Sequence, residues 1–223
     1  MSMRVVTDWI VAGGTLVLAA VAIFQETIRG WFYRPTFSVT TSTEPPHCVS
    51  VPVANALGPL GDLIYLRVWI ENTGNAAARN VEVYASELRR LRAEGSWERV
   101  EAFPIMNLRW ANAGGTMYWP IIVPGMGKHC DVAHITDPAR RAALREDSPK
   151  LSLGADKASM AFDLIAAPNH KGHIVGPGQY QLDILVAAEN AMPVMKTLQI
   201  SLDGKWDPDE ATMLRDHVGI RVI

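Results

Sequence analysis

Two regimes of hydrophobic patterning divide this chain. From Val5 to Phe24 the residues VVTDWIVAGGTLVLAAVAIF carry one charge, Asp8, in twenty positions. A run apolar on every side, rising about 1.5 Å per residue, reaches about 30 Å as a helix, which is the thickness of a bilayer core. The pattern predicts a single membrane crossing. Trp9 at one end and Trp31, Phe32 and Tyr33 beyond the other put amphipathic rings where headgroups would lie. Pro35 then bars helical continuation.

Past Pro35 the period becomes two. Leu66, Val68 and Ile70 alternate with Tyr65, Arg67, Trp69 and Glu71, the mark of a half-buried strand. Asn72-Thr73-Gly74-Asn75 turns the chain, and Asn80 to Tyr84 begins the next strand. Late in the chain Tyr180, Leu182, Ile184 and Val186 share a face, Glu189 to Pro193 interrupts, and Leu198, Ile200 and Leu202 resume the alternation. Further strands are expected at Phe37–Thr41, Trp97–Phe103, Tyr118–Val123, His129–Ile135 and Lys157–Ile165. With about eight or nine short strands at this spacing, the expectation is a mainly β chain, an antiparallel sandwich over residues 36–223 behind an N-terminal tail, helix and juxtamembrane segment at 1–35. Two accessory helices are expected, one opening at Asp137-Pro138 and reaching Arg145, the other at Asp207-Pro208 and reaching His217, with Glu210 completing a capping box.

The stretch LRVWIENTGNAAARNVEVY resembles the strand-turn-strand signature of bacterial immunoglobulin-like adhesion and CARDB-type modules. The whole layout is also similar to single-pass bacterial membrane proteins with a β-domain behind one anchor helix. The resemblance implies an Ig-like sandwich and a binding role, and brings no catalytic residues.

A formal charge of −2, from 21 basic and 23 acidic residues, gives no cationic field for a polyanion, so nucleic acid is not an expected partner. Ala20-Val21-Ala22 has the form of a signal-peptidase site, but MSMRVVTD lacks the net positive charge of a signal peptide, and the uncleaved anchor is the adopted reading. Arg4 on one side against Arg29 and Arg34 on the other leans, by one residue, towards a cytoplasmic β-domain.

Chemistry is sparse. His47-Cys48 and His129-Cys130, with His134, supply the donor types zinc prefers, yet no C-x-x-C or H-x-x-x-H spacing supports a site. Strict alternation would put His129 and Asp131 on one strand face and Cys130 and His134 on the other. For the two cysteines a disulfide and two buried free thiols both stand open, decided by compartment. His170-Lys171-Gly172-His173 reads as a solvated loop. Nucleophile-elbow and zincin motifs are absent from the sequence. The expectation is therefore a membrane-tethered, non-enzymatic interaction module for a protein partner, with Arg67, Trp69 and Glu71 as its surface if that face is exposed. The alternatives are an envelope ligand-binding domain, for glycan among others, and a Cys/His metal-dependent enzyme.

Overall fold

The computed structural model describes residues 3–55, 58–147 and 153–223. Helix α1 spans Met3–Phe32 and stops short of Pro35. Its side chains at 3–5, 8 and 26–32, Trp31 and Phe32 among them, lie outside the described residues, while Trp9 and Tyr33 are exposed. Among the described residues no helix is long and apolar enough to cross a membrane, the longest run of described side chains in α1 being 9–25.

The remainder is mainly β. In chain order the strands are β1 (Phe37–Thr40), β2 (Cys48–Asn55), β3 (Gly58–Asn72), β4 (Ala78–Leu91), β5 (Trp97–Arg99), β6 (Met106–Asn107) and β7 (Arg109–Trp110). After them come β8 (Trp119–Ile122), β9 (Gly127–Thr136), β10 (Ser159–Phe162), β11 (Ile174–Val175), β12 (Gly178–Ala188), β13 (Ala191–Leu202) and β14 (Val218–Val222). They form two seven-stranded sheets, one ordered β1-β3-β9-β10-β11 and the other β14-β13-β12-β4-β5, with the remaining strands pairing at the sides of β3, β9 and β4. Every pairing among the described residues is antiparallel.

One hydrophobic core joins the sheets. Leu66, Val68 and Ile70 of β3, Val81 and Val83 of β4, Leu182, Ile184 and Val186 of β12 and Leu198 and Ile200 of β13 are all inaccessible to solvent. The alternation of two read from the sequence is therefore the inner face of each sheet. Two strands carried weaker signals. β2, CVSVPVAN, contains Pro52, which fits because among the described residues β2 pairs with β3 alone, as an edge strand does. β14 is a five-residue strand at the chain end, with Val218 and Ile220 buried.

Both accessory helices are shorter than expected. Asp137 does cap, its Oδ1 accepting from Ala139 N at 2.8 Å with Pro138 first in the turn, but the helix is one 3-10 turn, Pro138–Arg140. Turns follow, and Arg145 at φ +59° ends them. The second, α2 (Glu210–Thr212), continues into a π turn, Met213–His217. Its cap is Asp209, bonding Thr212 N at 2.9 Å, rather than Asp207, which instead accepts from Asp209 N in an Asx turn. Glu210 is not a capping-box partner, because its Oε1 accepts from Ser50 N across the molecule.

The corner after β3 ties the helix end to the domain. The buried Asn72 amide donates to Ala76 O (2.7 Å) and Ile122 O (2.9 Å) and accepts from Thr36 N (3.3 Å) and Gly74 N (3.1 Å). A Cβ on Gly74 would stand 2.4 Å from Arg34 O and 2.5 Å from Thr36 N, so only glycine lets the post-helical backbone pass this close. Asn72→Ala should lower unfolding stability by about 2–4 kcal/mol, since four hydrogen bonds, one buried and three partly buried, lose their partner. Urea denaturation of the detergent-solubilised chain measures this, and a loss below about 1 kcal/mol would show that water replaces the amide without penalty.

Candidate functional site

The face of β3 opposite the core carries Tyr65, Arg67, Trp69 and Glu71, which sit across from His134, Asp131, His129 and Gly127 of β9. None of the four is fully exposed. Arg67 Nε donates to Asp131 Oδ1 at 2.7 Å, and its guanidinium lies 5.3 Å from the Tyr65 ring centre. The Trp69 ring packs edge-on against His129 at 4.8 Å, and His129 against His47 at 5.3 Å. A Cβ on Gly127 would meet the Trp69 ring at 2.5 Å, so the absence of a side chain there is what lets the indole sit against the start of β9. Arg67, Trp69 and Glu71 thus form a half-covered strip, with Arg67 already neutralised.

The five sequence-derived metal donors do not converge. His47 and His129 meet on the outer face, whereas Cys48 and Cys130 point into the core, fully buried. The two thiols are free, and β2 and β9 flank β3 on opposite edges, so their backbones are separated by two strand spacings, about 10 Å, beyond the reach of a disulfide. Burial pushes the Cys48 thiol up to about 12, against Arg67, and raises Cys130 further from reactivity. Among the described residues no group of three or more His, Cys, Asp or Glu is arranged to hold a metal ion.

His134 corrects the strict alternation. The β3–β9 register shifts between Leu66 and Arg67, where Val132 is the extra residue, and the bulge returns His134 to the face of His129 and Asp131. There its Nδ1 lies 3.0 Å from Asp163 Oδ1 and its Nε2 lies 2.7 Å from Glu146 Oε1. Thr136 donates to the other Glu146 oxygen. Desolvation is the largest single influence on His134 and would lower its pKa, but the charge and hydrogen bond of Asp163 and then those of Glu146 outweigh it, holding the imidazolium to about 10. Glu146 is held below the usual carboxylate range by the same contacts, against its own burial. Burial pushes Asp131 up to about 6 despite Arg67, and Tyr65 up to about 12, with Asp163 and Asp131 adding to it.

This network forms the wall of a cavity of about 440 Å³ between β9, β10 and the 167–174 loop, lined also by Arg109, Arg145, Lys171 and His173. His173 is 8% exposed, so the loop read as solvated is only half so: His170 is exposed and His173 is inside. Asp163 Oδ2 and His173 Nδ1 are buried with no hydrogen-bond partner. A larger cleft of about 720 Å³ lies between residues 43–45 and α2, but two of the three carboxylates lining it are engaged, Asp209 by Thr212 N and Glu210 by Ser50 N. The smaller cavity is the better-built site. Neither Glu146 nor Asp163 is in a sequence motif; they are found only once the turns after Asp137 and the end of β10 are in place.

Two outcomes follow for solution chemistry. His134 binds a proton more tightly folded than unfolded, so its stabilising contribution is complete below about pH 6.5 and is lost as pH rises through about 10. Urea unfolding between about pH 6.5 and 8.5, below the range where the two buried thiols add their own fall, should show stability falling with pH more steeply in the wild type than in His134→Gln; equal slopes would refute the clamp. Iodoacetamide at about pH 8 should leave Cys48 and Cys130 unmodified in the folded chain and alkylate both in denaturant, as mass spectrometry would read. No family model matches the chain and no curated protein matches it, so its function is argued from this geometry.

Proposed function

We propose that this chain is a membrane-tethered, non-enzymatic binding module: α1 anchors it, and an Ig-like β-sandwich presents its outer strip to a protein partner. The observation that carries the reading is that α1 leaves its apolar side chains uncovered, with Ile10, Leu16, Leu18 and Ile23 each about 70% exposed. Water penalises such a surface, and a bilayer does not. The sequence supports it as well, since Val5–Phe24 has one charged residue in twenty.

The end of the β-domain nearest the helix is apolar too. Arg34 N donates to Asn75 Oδ1, Gly125 N to Asn72 O, and Glu189 N to Arg79 O, so three turns gather around the corner. From them Val123, Met126 and Met192 project, Met192 with 77% exposure. A domain hung directly from a membrane helix would set these side chains at the headgroup boundary, flanked by Arg34, Arg79 and Lys128. The absence of a nucleophile-base pair in the strip favours binding over chemistry: both His134 nitrogens are occupied by carboxylates.

Membrane fractionation followed by alkaline carbonate extraction should leave the chain in the pellet, and a C-terminal reporter fusion should report the cytoplasmic side. Release by carbonate would overturn the anchor. Partner capture with a photocrosslinking residue at Glu71 is expected to give a discrete adduct that Trp69→Ala abolishes; an unchanged adduct pattern would remove the strip from the interface.

A further inference from the structure

We propose that the cavity beside His134 binds a small organic anion that also carries a hydrogen-bond donor, a hydroxy- or amino-carboxylate. The site is independent of how the chain is tethered.

Buried polar atoms are nearly always hydrogen-bonded, and this cavity has two that the protein does not satisfy. Asp163 is 7% exposed and His173 is 8% exposed, and Asp163 Oδ2 and His173 Nδ1 have no partner. The other oxygen of Asp163 is fixed on His134 Nδ1, which aims the carboxylate and keeps the imidazolium from competing for the free one. Oδ2 can only accept, so whatever meets it must donate, through a hydroxyl or ammonium group.

Charge selects the rest of the ligand. Arg109, Arg145, Lys171 and His134 bring four positive charges to the cavity, and Glu146 and Asp163 bring two negative ones, leaving an excess of two. Arg109 uses Nε on Leu164 O, which orients the guanidinium and leaves its terminal nitrogens for a carboxylate fork. Burial lowers the His173 pKa, so this ring is a neutral partner able to donate to an oxygen or accept from a hydroxyl. About 440 Å³ falls within the range of small-molecule sites and suits a compact ligand. The apolar remainder, Leu144, Phe162 and Ile174, offers a surface for a short carbon skeleton.

Isothermal titration of the full chain in detergent micelles tests this with glycerate, gluconate and glycine, against acetate and inorganic phosphate. At least one donor-bearing carboxylate should bind saturably at millimolar concentrations or below, about tenfold tighter than acetate, as a charge-assisted bond to Asp163 requires. Arg109→Gln and His173→Gln should each weaken that binding about tenfold while the melting temperature stays near wild type. If His173→Gln does not fold, Arg145→Gln serves in its place. No saturable binding by any probe, acetate or phosphate binding as tightly as the donor-bearing acids, or affinity unchanged in the variants would each overturn the proposal.

Discussion

The fold depends on how the Asn72 amide is used. A strand 15 residues long ends at this residue, and the amide beyond its last inward-facing apolar side chain holds the backbone after the helix, its own turn and the end of β8 together. An amide has two donors and two lone pairs, and here each finds protein, so the corner is closed to water as well as shaped. β1 follows within one residue of the contact at Thr36 and pairs with β3 from Phe37↔Asn72 onward. The register of the first sheet therefore starts from this joint, and so does the position of everything on its outer face.

That dependence explains which parts of the molecule were legible in the sequence. Inward positions obey a period of two, and Leu66, Val68, Ile70, Tyr180, Leu182, Ile184, Val186, Leu198, Ile200 and Leu202 are buried as the alternation required. The edge strands β2 and β14 were less visible because one contains proline and the other ends the chain. The short helices were misjudged in length for a related reason: cap residues announce a start, but only packing sets how far the turns continue. Asp207 and Asp209 offer the same cap chemistry two residues apart, and sequence cannot choose between them.

The polar wall was illegible for a more specific reason. Alternation assigns His134 to the core face, and one extra residue at Val132 reverses the assignment for everything after it on β9. Nothing in Asp131-Val132-Ala133 advertises a bulge. Its consequence is nevertheless large, since an imidazole aimed inward would have been an unpaired buried donor, while aimed outward it meets Asp163 from the end of β10 and Glu146 from the turns after Asp137. Those partners come from distant segments, so the cluster exists only in three dimensions. The two His-Cys dipeptides, by contrast, follow plain alternation: in adjacent residues of a strand the imidazole and the thiol face opposite directions, and that is how His47-Cys48 and His129-Cys130 lie, which spreads the candidate zinc donors over two faces.

The two ends of β3 have opposite chemistry, and this ties the proposed tether to the cavity. At Asn72 the neighbouring turns expose Val123 and Met126; seven residues back along the strand, about 23 Å at the usual rise, Tyr65 lies 5.5 Å from His134 and borders the charged network. Between them the outer face passes from Trp69 and two half-buried histidines, through the Arg67–Asp131 pair, to the fully clamped imidazolium. Polarity thus rises with distance from the helix. A domain suspended by α1 would hold its apolar end against lipid and its cavity well beyond the headgroups, where a charged solute is freely available. The half-buried strip around Trp69 is then neither bare scaffold nor open recognition surface: its rings are packed on one another, and a partner would gain contact with their edges while leaving the Arg67–Asp131 pair intact.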